Sequence, residues 1–274
     1  MIDAHFHAWS LGRGDYAWLT PDLAPIYRDV QVSDWLVQAE PHGIQGGVLV
    51  QAAPTAAETD YLLGLAREHA SVLGVVGWVD MLATDAVAQV ERLALQPKLK
   101  GLRPMLQDLP DPDWILQPAL TPVLDAMARC GLVFDALMVP VHLPRIATLI
   151  ARHPDLTVVI DHGAKPSLDN ATEWAQSISA LAQHSDPARV VCKLSGLWTQ
   201  VEPNSDVQVL APWVSHLMTC WGPARLLWGS DWPVLELAGS YAQWLHWSHS
   251  VLKMCTPAEQ EAIVGGNARR IYKL

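Results

Sequence analysis

Two histidines one residue apart stand near the start of the chain, in His5-Phe6-His7. In extended backbone alternate side chains share a face, so both imidazoles aim at one point. Two convergent neutral imidazoles suit Zn²⁺ or a similar ion, and they equally suit hydrogen bonding to a polar ligand or a purely structural role. A third histidine, His162, closes the apolar run Thr157-Val158-Val159-Ile160 ahead of Gly163-Ala164-Lys165-Pro166. An ionisable ring at the end of such a run is a candidate ligand or acid/base. Its neighbour Asp161 is expected to point the other way, packing on a helix or orienting a neighbour. In Gly229-Ser230-Asp231-Trp232-Pro233, Asp231 ends another apolar run, where it is placed either as a general base or as the cap of the following turn.

Cations end two further runs: Lys100 and Arg103 in one, Lys193 in Cys192-Lys193-Leu194-Ser195-Gly196 in the other. Each can hold a carbonyl, hydroxyl or carboxylate, with a structural ion pair as the alternative for Lys193. Lys165 joins Arg103 and Lys193 as a cation able to meet a substrate. The remaining histidines fall in helices or loops and read as structural.

These residues need elements to place them. Eight continuous Val/Ile/Leu-rich runs recur along the chain: Ile2 to His7, Gly46 to Gln51, Val75 to Val79, Leu99 to Arg103, Leu132 to Met138, Thr157 to His162, Val190 to Ser195 and Leu226 to Asp231. Continuous apolar runs mark strands buried on both faces, and the stretches between them carry helical periodicity. Eight strand-helix units with no internal boundary predict one α/β domain over residues 1–274, a (β/α)₈ TIM barrel. A doubly wound sheet shares the alternation, but its Gly-rich loop after the first strand is replaced by His5-Phe6-His7. In a barrel the active site lies at the C-terminal strand ends, where the polar residues above are found. The long segment from Trp9 to Trp35 is expected to cover the mouth.

Composition narrows the partners. The 274 residues are 50% apolar and 17% charged with a net charge of −10, which excludes a disordered chain and argues against a broad grip on nucleic acid or anionic lipid. No apolar stretch reaches the roughly 20 residues of a membrane span. Four dispersed cysteines and no leader peptide predict the cytoplasm. There are 13 Trp against 2 Phe. Most of the tryptophans read as core, but Trp9, Trp198 and Trp232 follow strands one, seven and eight, where an indole can wall a ligand pocket.

Taken in order, His5-Phe6-His7, Gly101-Leu102-Arg103, the Asp161–Pro166 run, Cys192-Lys193-Leu194-Ser195-Gly196, Gly229-Ser230-Asp231-Trp232-Pro233 and Gly266-Asn267-Ala268-Arg269-Arg270-Ile271-Tyr272 resemble the amidohydrolase superfamily over essentially the whole chain. The branch they resemble is that of sugar-acid lactonases acting on L-fucono- and L-rhamnonolactone. The resemblance implies a hydrolase that opens a small aldono- or aldarolactone in sugar-acid catabolism. Asp231, His162, Arg103 and Lys193 are then catalytic, and His5, His7, Arg103, Lys165, Trp9, Trp198 and Trp232 contact substrate. It also implies His5, His7, His162 and Asp231 as ligands of one divalent ion, zinc first. The binuclear members' bridging Lys and later-strand His are missing, and related lactonases work without metal, so a metal-free site is the alternative. The reading carries two rivals, a metal-dependent non-oxidative decarboxylase of the same superfamily and an inactive sugar-acid-binding barrel. Oligomeric state stays open, with a homodimer among the options.

Overall fold

The computed structural model describes residues 1–274. Eight parallel strands run in chain order around a barrel: β1 (Ile2–Phe6), β2 (Gly46–Val50), β3 (Val72–Gly77), β4 (Leu99–Leu102), β5 (Val133–Ala136), β6 (Thr157–Ile160), β7 (Val190–Leu194) and β8 (Leu226–Trp228). The third begins three residues before the sequence-based start at Val75, and all eight lie where apolar runs were read. The first and last strands close beyond their ends, where Asp231 N–H donates to His5 O at 2.8 Å and His7 N–H to Trp232 O at 2.8 Å.

Alternation assigns the two faces. Val48, Val50, Val76, Val133, Val159, Val191 and Leu227 fill the barrel interior with Ile2 and Ala4, while their sequence neighbours pack outward on the helix ring. Crossover helices such as Ala56–Glu68 and Thr121–Cys130 present apolar stripes to that outer face. Ala268, Ile271 and Tyr272 of the last helix (Asn267–Tyr272) join the interior cluster and stopper the end of the barrel remote from the mouth. The strand register shifts between Asp3 and Phe6. This bulge sends Phe6 outward onto Trp35, 4.0 Å between ring centroids, and leaves His5 and His7 facing the site.

The segment after β1 folds over the mouth, as its length predicted. Trp9 and Val30 pair antiparallel through two 2.9 Å hydrogen bonds, which ties the loop at its base. Its crest is held by Trp18 Nε1, which donates to Ala52 O at 2.7 Å, and by Tyr16 OH, which donates to Glu58 Oε2 at 2.7 Å. Glu58 also accepts from Ala52 N at 3.0 Å. Burial pushes this carboxyl up to about 7, against the pull of those hydrogen bonds and of nearby Arg13. No helix is long and apolar enough to cross a membrane.

Candidate active site

One inward step above the valine layer the interior turns charged. Asp135, Asp161 and Lys193 sit two residues past the inward Val133, Val159 and Val191, so strand parity brings them together, and Arg103 joins them from the end of β4. Lys193 Nζ lies 2.6 Å from Asp135 Oδ2, 2.9 Å from Asp161 Oδ1 and 3.1 Å from His5 Nδ1. Arg103 pairs Nη1 with Asp161 Oδ2 at 3.2 Å and donates Nη2 to Gln51 O. Tyr272 OH donates to Asp135 at 2.7 Å. Burial opposes the Lys193 charge, but Asp135 and Asp161 outweigh it and keep the ammonium protonated.

This corrects three expectations. Asp161 points inward, because parity with Val159 carries it there. His162 reaches the site as well, because its left-handed backbone, φ 55°, turns the chain before the next alternation. Lys193, expected to touch substrate, is fully buried beneath His5 and is an ion-pair partner instead. Lys100 lies at the other end of β4 and donates to Lys273 O, away from the site.

Above this layer stand the imidazoles and Asp231. The Asp231 carboxylate Oδ1 is 3.2 Å from His7 Nε2, 3.5 Å from His5 Nε2 and 3.9 Å from His162 Nε2. His7 donates its Nδ1 hydrogen to Val50 O at 2.7 Å, and His162 Nδ1 lies 2.9 Å from Ser195 Oγ. Burial alone would raise the Asp231 carboxyl, yet the facing His162 and His7 hold it below the ordinary carboxylate range. Burial pushes His162 down to about 4, so its ring is neutral near pH 7. Asp231 is aimed from outside by Asp3, which accepts from Ser230 N at 2.8 Å and Ser230 Oγ at 2.6 Å. Two glycines clear the space. A Cβ on Gly229 would approach His5 Cβ at 2.9 Å, and one on Gly196, φ 60°, would approach His162 Nδ1 at 2.3 Å.

The cavity over these groups holds about 250 Å³. Its lining combines the polar His7, Arg103, His162, Lys165 and Asp231 with the apolar Trp18, Leu23, Met105, Leu137, Val234 and Leu237. Lys165 Nζ donates to Gln107 Oε1 at 2.6 Å. His5, expected to meet substrate, is sealed under His7 with no exposed surface. The three tryptophans expected as walls are buried behind the lining. Their indole N–H groups are spent on Arg28 O for Trp9, Ser205 O for Trp198 and Glu236 Oε1 for Trp232. The wall is Trp18, inside the loop that sequence reading treated only as cover.

The donor set fits a small cation. His7 Nε2 carries a lone pair once Nδ1 has given its hydrogen to Val50, and it faces a carboxylate oxygen at 3.2 Å. Two acceptors so close need positive charge between them, a proton or a metal ion. The ligand atoms of His5, His162 and Asp231 also lie within 4.8 Å of one another.

With this geometry in hand, comparison with known proteins is informative. The profile of the Amidohydrolase family matches residues 2–274. An L-fucono-1,5-lactonase of Burkholderia ambifaria is 43% identical, with all of this chain and 95% of that one aligned. A second enzyme of that name, from Burkholderia multivorans, is 32% identical over all of this chain and 96% of its own length. The crystal structure of a Burkholderia multivorans amidohydrolase with bound zinc superposes with a TM-score of 0.92 at 31% identity, covering 100% of this chain and 99% of that one. A barrel matched over 273 residues by one family profile, with its histidines and aspartate gathered at the mouth, belongs to the amidohydrolase family.

Proposed function

We propose that the protein hydrolyses the ring ester of a neutral sugar-acid lactone, of the L-fucono-1,5-lactone kind. The observation that carries this reading is the Asp231 carboxylate, held ionised beside imidazoles on the floor of a cavity with room for one sugar ring. The names of the 43% and 32% identical relatives support it. Asp231 takes a proton from water as that water attacks the lactone carbonyl, and later returns it to the departing ring oxygen. Arg103, pinned by Asp161 and Gln51, meets the charge that develops on the carbonyl oxygen. His162, neutral and backed by Ser195, orients the water. Lys165 has two N–H groups beyond its bond to Gln107 and serves ring hydroxyls.

The lining favours a neutral ring. Besides Arg103 and Lys165 the lining carries Asp108 and Asp231, and its apolar members such as Trp18, Leu23 and Leu237 suit a C–H face or a methyl group. Zinc fits the same floor, on His5, His7, His162 and Asp231; when bound it would polarise the carbonyl as a Lewis acid. We place the activity in the cytoplasm, within the breakdown of sugar acids. A pH-indicator screen over aldono- and aldarolactones tests the reading. Neutral aldonolactones are expected to turn over faster than aldarolactones, which carry a free carboxylate, and no acid release from any lactone would refute it.

A further inference from the structure

His162 and Lys165 both line the cavity, and they stand at the two ends of one tight turn. Positive φ runs through all of it: 55° at His162, 57° at Gly163, 62° at Ala164 and 51° at Lys165. Lys165 N–H donates to His162 O at 2.9 Å, so the four residues close a single left-handed turn. Three of them are not glycine, and in this conformation a Cβ crowds the following carbonyl oxygen. Local chemistry disfavours the turn, so contacts from outside must hold it.

The hold is at Gly163 O. Continuing the turn would bring this carbonyl a hydrogen from residue 166, but Pro166 has no N–H. The next amide, Ser167 N–H, is given to Asn170 Oδ1 at 3.0 Å. Gly163 O accepts instead from Trp174 Nε1 at 2.7 Å. Trp174 is buried in the first turn of the helix Ala171–His184, its ring against those of His216 and Trp213, with centroids 5.3 and 6.5 Å away. An indole has one donor, and this one goes to the turn. Packing adds to the bond, since a Cβ on Gly163 would stand 2.9 Å from Leu217 Cδ1. We propose that Trp174 is a positioning residue whose indole N–H holds the left-handed turn at Gly163 and so sets His162 and Lys165 in the cavity together. Without that hydrogen Gly163 O is a buried acceptor with no partner, and rotating the peptide relieves both that loss and the strain of the turn. The effect on turnover rests on the lactonase reading; the hold on the turn does not.

The decisive variant carries β-(3-benzothienyl)alanine in place of Trp174, which keeps the bicyclic shape and lacks the N–H; Trp174→Phe is the genetically simple companion. A crystal structure of the full chain is expected to show the turn rearranged, with Lys165 Nζ out of hydrogen-bond reach of Gln107 Oε1, its partner at 2.6 Å in the native protein. An unchanged turn overturns the proposal. This structure is read without substrate, so failure of the lactone screen leaves the test standing. Kinetics supply a second check. Loss of the N–H is expected to lower kcat by about 10-fold or more as His162 loses its aim, and to raise KM several-fold as Lys165 does. A lower Tm with kcat and KM both unchanged would mean a merely structural role and overturn it. Ala164→Gly removes a Cβ that opposes the turn, so Trp174→Phe should cost clearly less in that background; an equal cost in both overturns the role. Should Trp174→Phe not fold, the benzothienyl variant decides alone.

Discussion

Gly196→Ala is the sharpest test of how tightly the site is built. Gly196 has φ 60°, and a methyl there would stand 2.3 Å from His162 Nδ1, 2.6 Å from His162 Cγ and 2.9 Å from Asp231 Oδ2. Ordinary contact begins near 3.4 Å, so His162 must retreat by about 1 Å. Left-handed backbone at a non-glycine residue costs about 1–2 kcal/mol and overpacking about 1–3 kcal/mol. For a chain of this size, roughly 2 °C per kcal/mol puts the fall in Tm at about 4–10 °C. The protein therefore stays folded at 25 °C while its water-orienting ring is displaced, and a 1 Å misplacement costs on the order of 10²-fold in kcat. The assay pairs thermal unfolding with lactone turnover at 25 °C. Gly14→Ala is the control: its φ is 74°, nothing lies within 4 Å of the added carbon, and it should lose stability with kcat intact. A Gly196→Ala enzyme with wild-type kcat, or a Gly14→Ala enzyme equally impaired, would refute the reasoning.

Asp231→Asn removes the base but keeps the shape, so kcat is expected to fall by about 10³-fold with Tm little changed; retained turnover would remove Asp231 from the mechanism. Glu58 has a folded-state pKa of about 7 against an ordinary 4.5, so the folded chain holds its proton more strongly. Its contribution to stability is present below pH 4.5 and lost as pH rises through about 7, on the order of 3 kcal/mol. Glu58→Gln should flatten that slope in a Tm-against-pH series, and an unchanged slope would contradict the assignment. Trp18→Ala opens the apolar wall and unties the loop from Ala52; a several-fold rise in KM, read from initial rates, is expected to exceed its effect on kcat.

The barrel was readable in the sequence because each strand is a continuous apolar run, a pattern that local chemistry alone produces. The same was true of His5, His7, His162, Arg103 and Asp231, which stand where those runs turn polar. What escaped was set by backbone departures and by long-range pairing. Asp161 was assigned the wrong face because the left-handed turn at His162 lets two consecutive residues enter the site. Asp135 carried a usable signal, two residues after inward Val133 in an apolar strand, but its meaning depends on Lys193, 58 residues away. The choice of Trp18 over Trp9, Trp198 and Trp232 depends on loop packing, which no periodicity encodes.

The stopper formed by the last helix gives the barrel an order of completion. Tyr272 hydrogen-bonds Asp135 across 137 residues of chain, and Ala268 and Ile271 fill the floor beneath it. On the ribosome the eight strands are all made before this helix emerges, so the inward charges under the site stay in contact with water until it seats. The ion network beneath the active site is thus closed only after all eight strands are in place, and anything that hinders that helix from seating acts on catalysis from the far end of the barrel.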